Sequence, residues 1–332
     1  MTIKLQTTMN FVAIAIVISL FHILCVSKLS VTTQDWPYPE HPPHNMTKKI
    51  NPDPLRSCLN GHSAQTPYAI VSMISKKNKL QRIYSASAVK LAKTVRKFTN
   101  VDLVMLAIEP LHPDDSSALE KAEWKICAMQ GIQGPPNPKR SNRFLEANLY
   151  SKFNAWRLTE YEAILLLDSD TLAVGDLSTA FTHTLPAMLA QNKSFAAARD
   201  RPVNITCRFG TAWNVFNAGV ILLLPSLADF DILNKSIAEV PHDTDMAEQD
   251  LLNKMYASSF FELPFHYNAI VTSKVCEPDT WHRERENIKI VHFTTAKGWM
   301  YSYHWQSIED PFQCWWWDVQ DLCLLWESIP DS

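Results

Sequence analysis

From Tyr68 onward, short apolar runs alternate with amphipathic stretches. The first run, Tyr68–Ile74, has the length and composition of a buried strand, and residues 80–98 then place apolar side chains on one helical stripe, with Lys90 and Lys93 off it. Further strands are predicted at 101–108, 124–129, 163–167, 195–198, 220–224, 260–263 and 288–293, with helices over 145–158 and from Ser226 and Met246. This alternation predicts an α/β fold with a Rossmann-like, mainly parallel sheet, helices on both faces, and ligands at the carboxyl ends of the strands.

The composition excludes several classes of protein. Apolar residues make up 46% of the chain and charged residues 20%, which is typical of a globular protein with a sizeable core. The formal net charge of -3 argues against nucleic acid as a partner and favours a neutral or small molecule. The glycines are few and none of them stands in G-x-G spacing, so neither the dinucleotide-binding fingerprint nor the Walker loop can be formed.

An apolar segment near the N-terminus predicts a membrane anchor. Residues 11–26 are apolar apart from Ser19 and His22, and residues 9–29 are long enough to span a bilayer. No A-x-A cleavage site follows, which favours an uncleaved signal-anchor over a cleaved signal peptide. The predicted organisation is a cytoplasmic tail (1–8), a transmembrane signal-anchor (9–29), a proline-rich stem (30–66), one catalytic domain (67–299) and a C-terminal extension (300–332).

The cysteines and the glycosylation sequons are compatible with a lumenal domain. Besides Cys25 in the apolar segment, an even number of cysteines remains, and the lack of C-x-x-C spacing argues against a zinc ribbon. One to three disulfides are therefore expected in an oxidising compartment. Four N-x-S/T sequons begin at Asn45, Asn192, Asn204 and Asn234, and this number is close to that expected by chance.

The candidate chemistry centres on Asp168-Ser169-Asp170, directly after an apolar strand that ends at Leu167. Two carboxylates one residue apart at a strand end can both reach a hard divalent cation, which would neutralise a diphosphate. A phosphatase of the haloacid-dehalogenase type is the competing interpretation, because such an enzyme places a nucleophilic aspartate in D-x-D-x-T after a strand. Leu172 occupies that threonine position here, so the metal-binding interpretation is favoured.

Four motifs, in order along the chain, resemble those of the glycogenin-like family 8 glycosyltransferases. They are Tyr150–Trp156 with Leu158, Tyr161 and the D-x-D motif; Phe216–Val220 followed by an apolar strand; Glu248–Asn253; and Val291–Trp299. The resemblance covers about residues 67–299. It implies the glycosyltransferase type A fold with a single catalytic domain.

The resemblance also implies roles for particular residues. The metal, Mn²⁺ or Mg²⁺, would be bound by Asp168, Asp170 and His292, and a mixed carboxylate and imidazole set suits Mn²⁺. The donor and acceptor would contact Lys152, Asp168, Ser169, Asp170, Asn217, Ala218, Gly219 and Lys297. The catalytic residues would be Asp200, Glu248, Gln249 and Lys297, with Lys297 holding the leaving diphosphate.

The sequence departs from the family pattern at two places. Glu248 stands where aspartate is usual, so its carboxylate is one methylene longer. Lys297 follows His292 one residue earlier than usual, and Gly298 replaces a proline. These departures affect the diphosphate loop and the sugar pocket rather than the metal site.

Together, these features predict a Mn²⁺-dependent retaining glycosyltransferase that moves a sugar from a UDP-sugar donor to a glycan or glycoprotein acceptor. Retention is implied by the resemblance alone, and both a covalent intermediate and attack from the leaving-group face stay open. The protein would be a single-pass type II membrane protein of the Golgi or ER with a lumenal catalytic domain. The alternative is a non-catalytic, sugar-binding or regulatory protein on the same fold.

Overall fold

Two β-sheets organise the described part of the chain, which in this computed structural model comprises residues 64–75, 78–108, 110–135, 148–201, 215–294 and 320–330. The strands are β1 (Tyr68–Ile74), β2 (Asp102–Ala107), β3 (Trp124–Ala128), β4 (Ala163–Leu167), β5 (Thr171–Ala173), β6 (Phe195–Arg199), β7 (Phe216–Leu223), β8 (Phe261–Leu263), β9 (Ala269–Ile270) and β10 (Ile290–His292). The larger sheet has the order β3-β2-β1-β4-β7-β6-β8, and the smaller has the order β5-β10-β9.

The larger sheet confirms the predicted α/β fold. Strand β7 runs antiparallel to β4 and β6, and the other six strands are parallel to one another. Every residue of β4 is buried, because hydrophobic clusters cover both faces of the sheet. Since β7 is reversed, its amino end lies beside the carboxyl ends of β4 and β6, where ligands are expected in such a sheet.

The smaller sheet contains two strands that the sequence pattern did not indicate, β5 and β9. They have three and two residues, which is too short for a recognisable hydrophobic period. Strand β10 pairs antiparallel with β5 and parallel with β9, so that His292 lies opposite Thr171. This pairing carries a residue from late in the chain to the segment that follows β4.

The helices predicted over 80–98 and from Ser226 and Met246 are present, together with further helices that were not predicted. The helices are α1 (Asn78–Val95), α2 (Pro113–Lys121), α3 (Leu185–Ala190), α4 (Leu227–Glu239), α5 (Glu248–Tyr256), α6 (Ser273–Cys276), α7 (Pro278–Glu284) and α8 (Gln320–Glu327), with 3₁₀-helices at Leu149–Arg157, Phe265–Tyr267 and Arg285–Asn287 and a π-helix at Ala180–Thr184. Helix α1 ends at Val95 rather than at Phe98, whose side chain is 38% exposed in the following turn.

The predicted helix over 145–158 is a 3₁₀-helix at Leu149–Arg157. The amide of Asn154 donates a hydrogen bond to the carbonyl oxygen of Ser151, at 3.1 Å. An α-helix would pair that carbonyl with the N–H of Ala155. The local side-chain bond therefore competes with α-helical pairing and accounts for the tighter winding.

The predicted tail, signal-anchor and nearly all of the stem lie outside the described residues, and those boundaries stay predictions. Within the part of the chain that the structure describes, no helix is both long and apolar enough to cross a membrane. Of the C-terminal extension, residues 320–330 are described, and Leu322, Cys323 and Trp326 are buried in the hydrophobic cluster behind the smaller sheet.

Candidate functional site

The two aspartates of the D-x-D motif lie in a turn between β4 and β5. The N–H of Asp168 donates to the carbonyl oxygen of Gly219, at 2.8 Å, and thereby extends the pairing of β4 with β7. Both the N–H and the hydroxyl of Thr171 donate to the carbonyl oxygen of Asp168. The turn is therefore fixed at both ends, with the Asp170 side chain buried and that of Asp168 30% exposed.

His292 completes a cluster with these aspartates. Its Nε2 lies 3.4 Å from Oδ1 of Asp170 and 3.9 Å from Oδ2 of Asp168. One ligand atom from each of the three side chains falls within 4.8 Å of the others. His292 is only 2% exposed, so the imidazole is held in place by its surroundings. The predicted metal ligands are thus brought together.

Asn268 sets the orientation of the His292 ring. The N–H of Gly219 donates to Oδ1 of Asn217, which also accepts a bond from Nδ2 of Asn268. Oδ1 of Asn268 must then be the atom that faces Nδ1 of His292, at 2.9 Å. Nδ1 therefore carries a proton, and Nε2 is the nitrogen that faces the carboxylates.

The donor set fits a divalent cation. Two carboxylates and a neutral imidazole are acceptable ligands for Mn²⁺ and related metals. A second hydrogen bond that fixes the ring is the usual arrangement around a histidine ligand, and Asn268 supplies it. Asn268 is not apparent from the sequence, because no local motif marks it and its contact with His292 forms only through the pairing of β9 with β10.

Gly219 lies directly against the imidazole. A Cβ atom placed on Gly219 would be 2.1 Å from Cε1 of His292. The segment Asn217–Gly219, which in isolation has the composition of a turn, lies inside β7. The glycine is therefore required here by close approach of the ring to the strand backbone rather than by a turn.

Lys152 joins the D-x-D motif to helix α5. Its Nζ lies 2.8 Å from Oδ1 of Asp168 and 2.8 Å from Oε1 of Glu248, and it donates to the carbonyl oxygen of Ala218 at 3.3 Å. Burial alone would lower the pKa of Lys152, but the two carboxylates outweigh burial and hold that pKa well above its ordinary value. The charged ammonium thus fixes both carboxylates.

Asp200, Asn217 and Gln249 form a second hydrogen-bonded group beside the first. Asp200 accepts bonds from Nδ2 of Asn217, at 3.3 Å, and from Nε2 of Gln249, at 3.0 Å. Oε1 of Gln249 in turn accepts from the N–H of Ala218. Burial raises the pKa of Asp200, although these hydrogen bonds act in the opposite direction. Through Asn217 and Asn268 this group connects to His292.

Helix α5 is aligned with β7 by Asn253, for which the sequence predicts no individual role. The amide of Asn253 accepts from the N–H of Phe216 and donates to the carbonyl oxygen of the same residue, at 2.8 and 2.9 Å. This pair of bonds places Glu248 and Gln249, in the first turn of α5, over the beginning of β7.

The predicted site residues within the described part of the chain all lie at this edge of the larger sheet. Ser169 is buried between the aspartates, and Ala218 offers its backbone to Lys152 and Gln249. Their roles in binding or catalysis stay predictions. Lys297 and Gly298 lie outside the described residues.

Comparisons with known proteins identify relatives of this chain. The model of Glycosyl transferase family 8 matches residues 62–302. UDP-glucuronate:xylan alpha-glucuronosyltransferase 1 of Arabidopsis thaliana is 25% identical over 227 residues, which cover 66% of this chain but only 31% of that protein. Galactinol synthase 4 of the same plant is 23% identical over 280 residues, covering 77% of this chain and 81% of the relative.

The fold has counterparts among solved structures. The galactosyltransferase LgtC, in complex with donor and acceptor sugar analogs, superposes with a TM-score of 0.52 at 18% identity, covering 79% of this chain and 96% of that one. The bifunctional glycosyltransferase WbbM also has a TM-score of 0.52, at 15% identity, covering 76% of this chain and 48% of WbbM. The matched range contains the D-x-D motif, Lys152, Gln249 and His292. The chain therefore belongs to glycosyl transferase family 8 and is a glycosyltransferase.

Proposed function

We propose that this glycosyltransferase uses a UDP-sugar donor and Mn²⁺, and transfers the sugar with retention to a glycan or glycoprotein acceptor. The observation that carries the proposal is the cluster of Asp168, Asp170 and His292, with Nε2 of His292 directed at both carboxylates. A bound divalent cation would supply Lewis-acid stabilisation of the negative charge that develops on the leaving diphosphate.

The chain's own residues would prepare that site. Asn268 would hold His292 in the tautomer that can bind a metal through Nε2. Lys152 would hold the carboxylate of Asp168 in place through its ion pair. Lys297, five residues after His292, would supply a positive charge to the diphosphate. A UDP-sugar is favoured as donor because the glucuronosyltransferase relative is named for UDP-glucuronate. Retention is proposed from family membership, and no residue is assigned as a nucleophile.

The sugar would bind near Asp200 and Glu248. Oε2 of Glu248 is buried and has no hydrogen-bond partner among the described residues. A buried carboxylate oxygen without a partner is costly, and a sugar hydroxyl could satisfy it. The extra methylene of Glu248, relative to the aspartate usual in the family, brings this oxygen further from the helix axis and changes the space left for the sugar.

A donor screen tests the proposed function. The full chain, purified in detergent, is incubated with a panel of UDP-sugars and Mn²⁺, and released UDP is measured. We expect hydrolysis of one or a few donors that stops when EDTA removes the metal. Release of UDP that is unaffected by EDTA would contradict the metal-dependent reaction, and UDP binding without turnover of any donor would favour the non-catalytic alternative.

We further propose that the protein is a type II membrane protein with its catalytic domain in the lumen of the Golgi or ER. Residues 9–29 supply the candidate anchor. Cys127, Cys276 and Cys323 are all disulfide-bonded, which suits an oxidising compartment. One to three disulfides were expected from the cysteine count, and the bonded state of these three cysteines agrees with that expectation.

Glycosylation provides a test of this placement. Asn192 is exposed in the turn after α3, with a left-handed φ of 53°, and lies at the amino end of β6, away from the metal site. Asn234 lies within α4, where the hydroxyl of its sequon residue Ser236 is buried and donates to the carbonyl oxygen of Ile232. Asn192 is the better acceptor, because both of its sequon side chains are accessible.

We expect Asn192→Gln to remove one glycan from the chain made in a secretory host, seen as a mobility shift that glycosidase treatment abolishes. Ser194→Ala, which leaves Asn192 unchanged, should remove the same glycan, and Asn234→Gln should leave the mobility as it was. Transfer activity should be unaffected in all three variants. A chain without any glycan at Asn192 would contradict the lumenal placement.

A further inference from the structure

The C-terminal helix α8 packs against the back of the smaller sheet. It lies at residues 320–327, beyond the residues 62–302 that match the family, and so belongs to the extension of this chain. Trp326 is 1% exposed and meets the ring of Phe293 edge-on, with the centroids 4.9 Å apart. Leu322, Cys323 and Ile329 are buried in the same cluster as Leu172 and Val291.

Phe293 connects this packing to the metal site. It follows His292 directly, and its N–H donates to the carbonyl oxygen of Asp170, at 2.9 Å. Because successive side chains of a strand point to opposite faces, Val291 and Phe293 face α8 while His292 faces the aspartates. A displacement of Phe293 would therefore move two of the three candidate metal ligands.

Helix α1 holds α8 in place from the other side. The ammonium of Lys90, which is buried, donates to the carbonyl oxygens of Trp326 and Ile329 at the end of α8. The carbonyl oxygen of Trp326 also accepts from the N–H of Ile329, at 3.3 Å, and a cation is favourable at a helix C-terminus. One turn later on α1, the hydroxyl of Thr94 accepts from the N–H of Ala173 in β5. The same helix thus binds both α8 and the strand after the D-x-D motif.

We propose that α8 is a positioning element of the metal site, acting through Trp326 on Phe293 and thus on His292 and Asp170. The inference rests on the proposed metal-binding function. Trp326 lies behind Phe293 and not among the candidate metal ligands, so it is a positioning residue rather than a catalytic one. Its loss should weaken metal binding by more than a general loss of stability would.

The test measures Mn²⁺ affinity of the full-length protein in detergent, from the electron paramagnetic resonance signal of free Mn²⁺, at a temperature where every variant is folded. We expect Trp326→Ala to raise the Kd by about 10-fold or more, as for other residues that orient metal ligands. Trp326→Phe, which keeps a ring against Phe293, should raise it less than about 3-fold, because most of the packing that holds Phe293 is retained.

The matched control is Trp124→Ala. Trp124 is also buried, but it lies on β3, at the far edge of the larger sheet, and packs in a different cluster. We expect this variant to lose stability and to keep the wild-type Kd. If Trp326→Ala does not fold, the Mn²⁺ Kd is measured for Trp326→Leu, which removes the ring but leaves a smaller cavity.

The possible outcomes separate the two proposals. A wild-type protein that does not bind Mn²⁺ would overturn the proposed metal site itself. If the wild type binds Mn²⁺ and the Trp326 variants bind it equally well, the positioning role is overturned. An equal loss of affinity in Trp124→Ala would also overturn it, since a general loss of stability would then be sufficient.

Discussion

Asp170→Asn is expected to reduce sugar transfer by at least about 1000-fold, equivalent to about 4 kcal/mol of transition-state stabilisation. Asparagine keeps the size of the side chain but removes the charge that faces Nε2 of His292, at 3.4 Å. A neutral amide is a much weaker ligand for a hard divalent cation than a carboxylate. Steady-state transfer and Mn²⁺ titration of the purified protein measure the two losses, which should occur together.

Asp168 is not used for this test, because its replacement would change more than the metal site. Asp168 also forms an ion pair with Lys152, so its replacement would leave a buried ammonium with a single carboxylate partner and would lower stability as well. Asp231→Asn, on the exposed side of α4, is the matched control and should keep wild-type transfer and Mn²⁺ affinity. Near-normal transfer by Asp170→Asn at saturating Mn²⁺ would refute the assignment of the metal site.

Much of the larger sheet can be predicted from the sequence because its strands are buried on both faces. Such strands are continuous apolar runs, and β1 and β4 have the boundaries expected for them. The aspartates after β4 follow from the same reasoning, since ligands bind at the carboxyl ends of parallel strands. His292 was placed with them only by resemblance to the family, and its distance from Asp170 confirms that they lie together.

The smaller sheet and the residues that orient the site could not be predicted in this way. Strands of two or three residues contain too few positions for a hydrophobic period, so β5 and β9 leave no pattern. Asn268 acts through a contact that exists only once β9 and β10 are paired.

The environment of Lys90 on α1 could not be predicted from the sequence either. Lys90 was placed off the apolar stripe, as a lysine on the solvent side of a helix would be, yet it is buried against the end of α8. A cation can be buried when it is hydrogen-bonded to carbonyl oxygens. The acceptors come from residues more than two hundred positions away in the chain, so no local pattern indicates them.

Gly219→Ala is expected to weaken metal binding strongly although it adds a single methyl group. The new Cβ atom would lie 2.1 Å from Cε1 of His292, a distance that real atoms do not reach, so the imidazole or strand β7 must move. The ring is held by Asn268 and surrounded by buried residues, and little space is available to it. We expect the Mn²⁺ Kd to rise by at least about 100-fold, because the ligating nitrogen is displaced.

The steric cause can be isolated with a double variant. Forcing a methyl group into a packed site costs about 1–3 kcal/mol of unfolding free energy, and Gly219→Ala should show a loss of this size. In a His292→Ala background the methyl group has space, so adding Gly219→Ala should cost little, giving a coupling free energy of about 1–3 kcal/mol between the two positions. Chemical unfolding of the four proteins measures this coupling.

Gly175→Ala serves as the control for a glycine substitution elsewhere around the smaller sheet. The new Cβ atom would lie 3.0 Å from the carbonyl oxygen of Ile288. Gly175 follows the carboxyl end of β5, whereas Thr171, which pairs with His292, is at the amino end of that strand. This variant should lose some stability and retain the wild-type Mn²⁺ Kd, because the His292 ring is untouched. The Gly219→Ala variant could instead keep the wild-type Kd, with additive unfolding free energies in the double variant. That result would mean that the His292 imidazole does not lie in this position against β7 when the metal is bound.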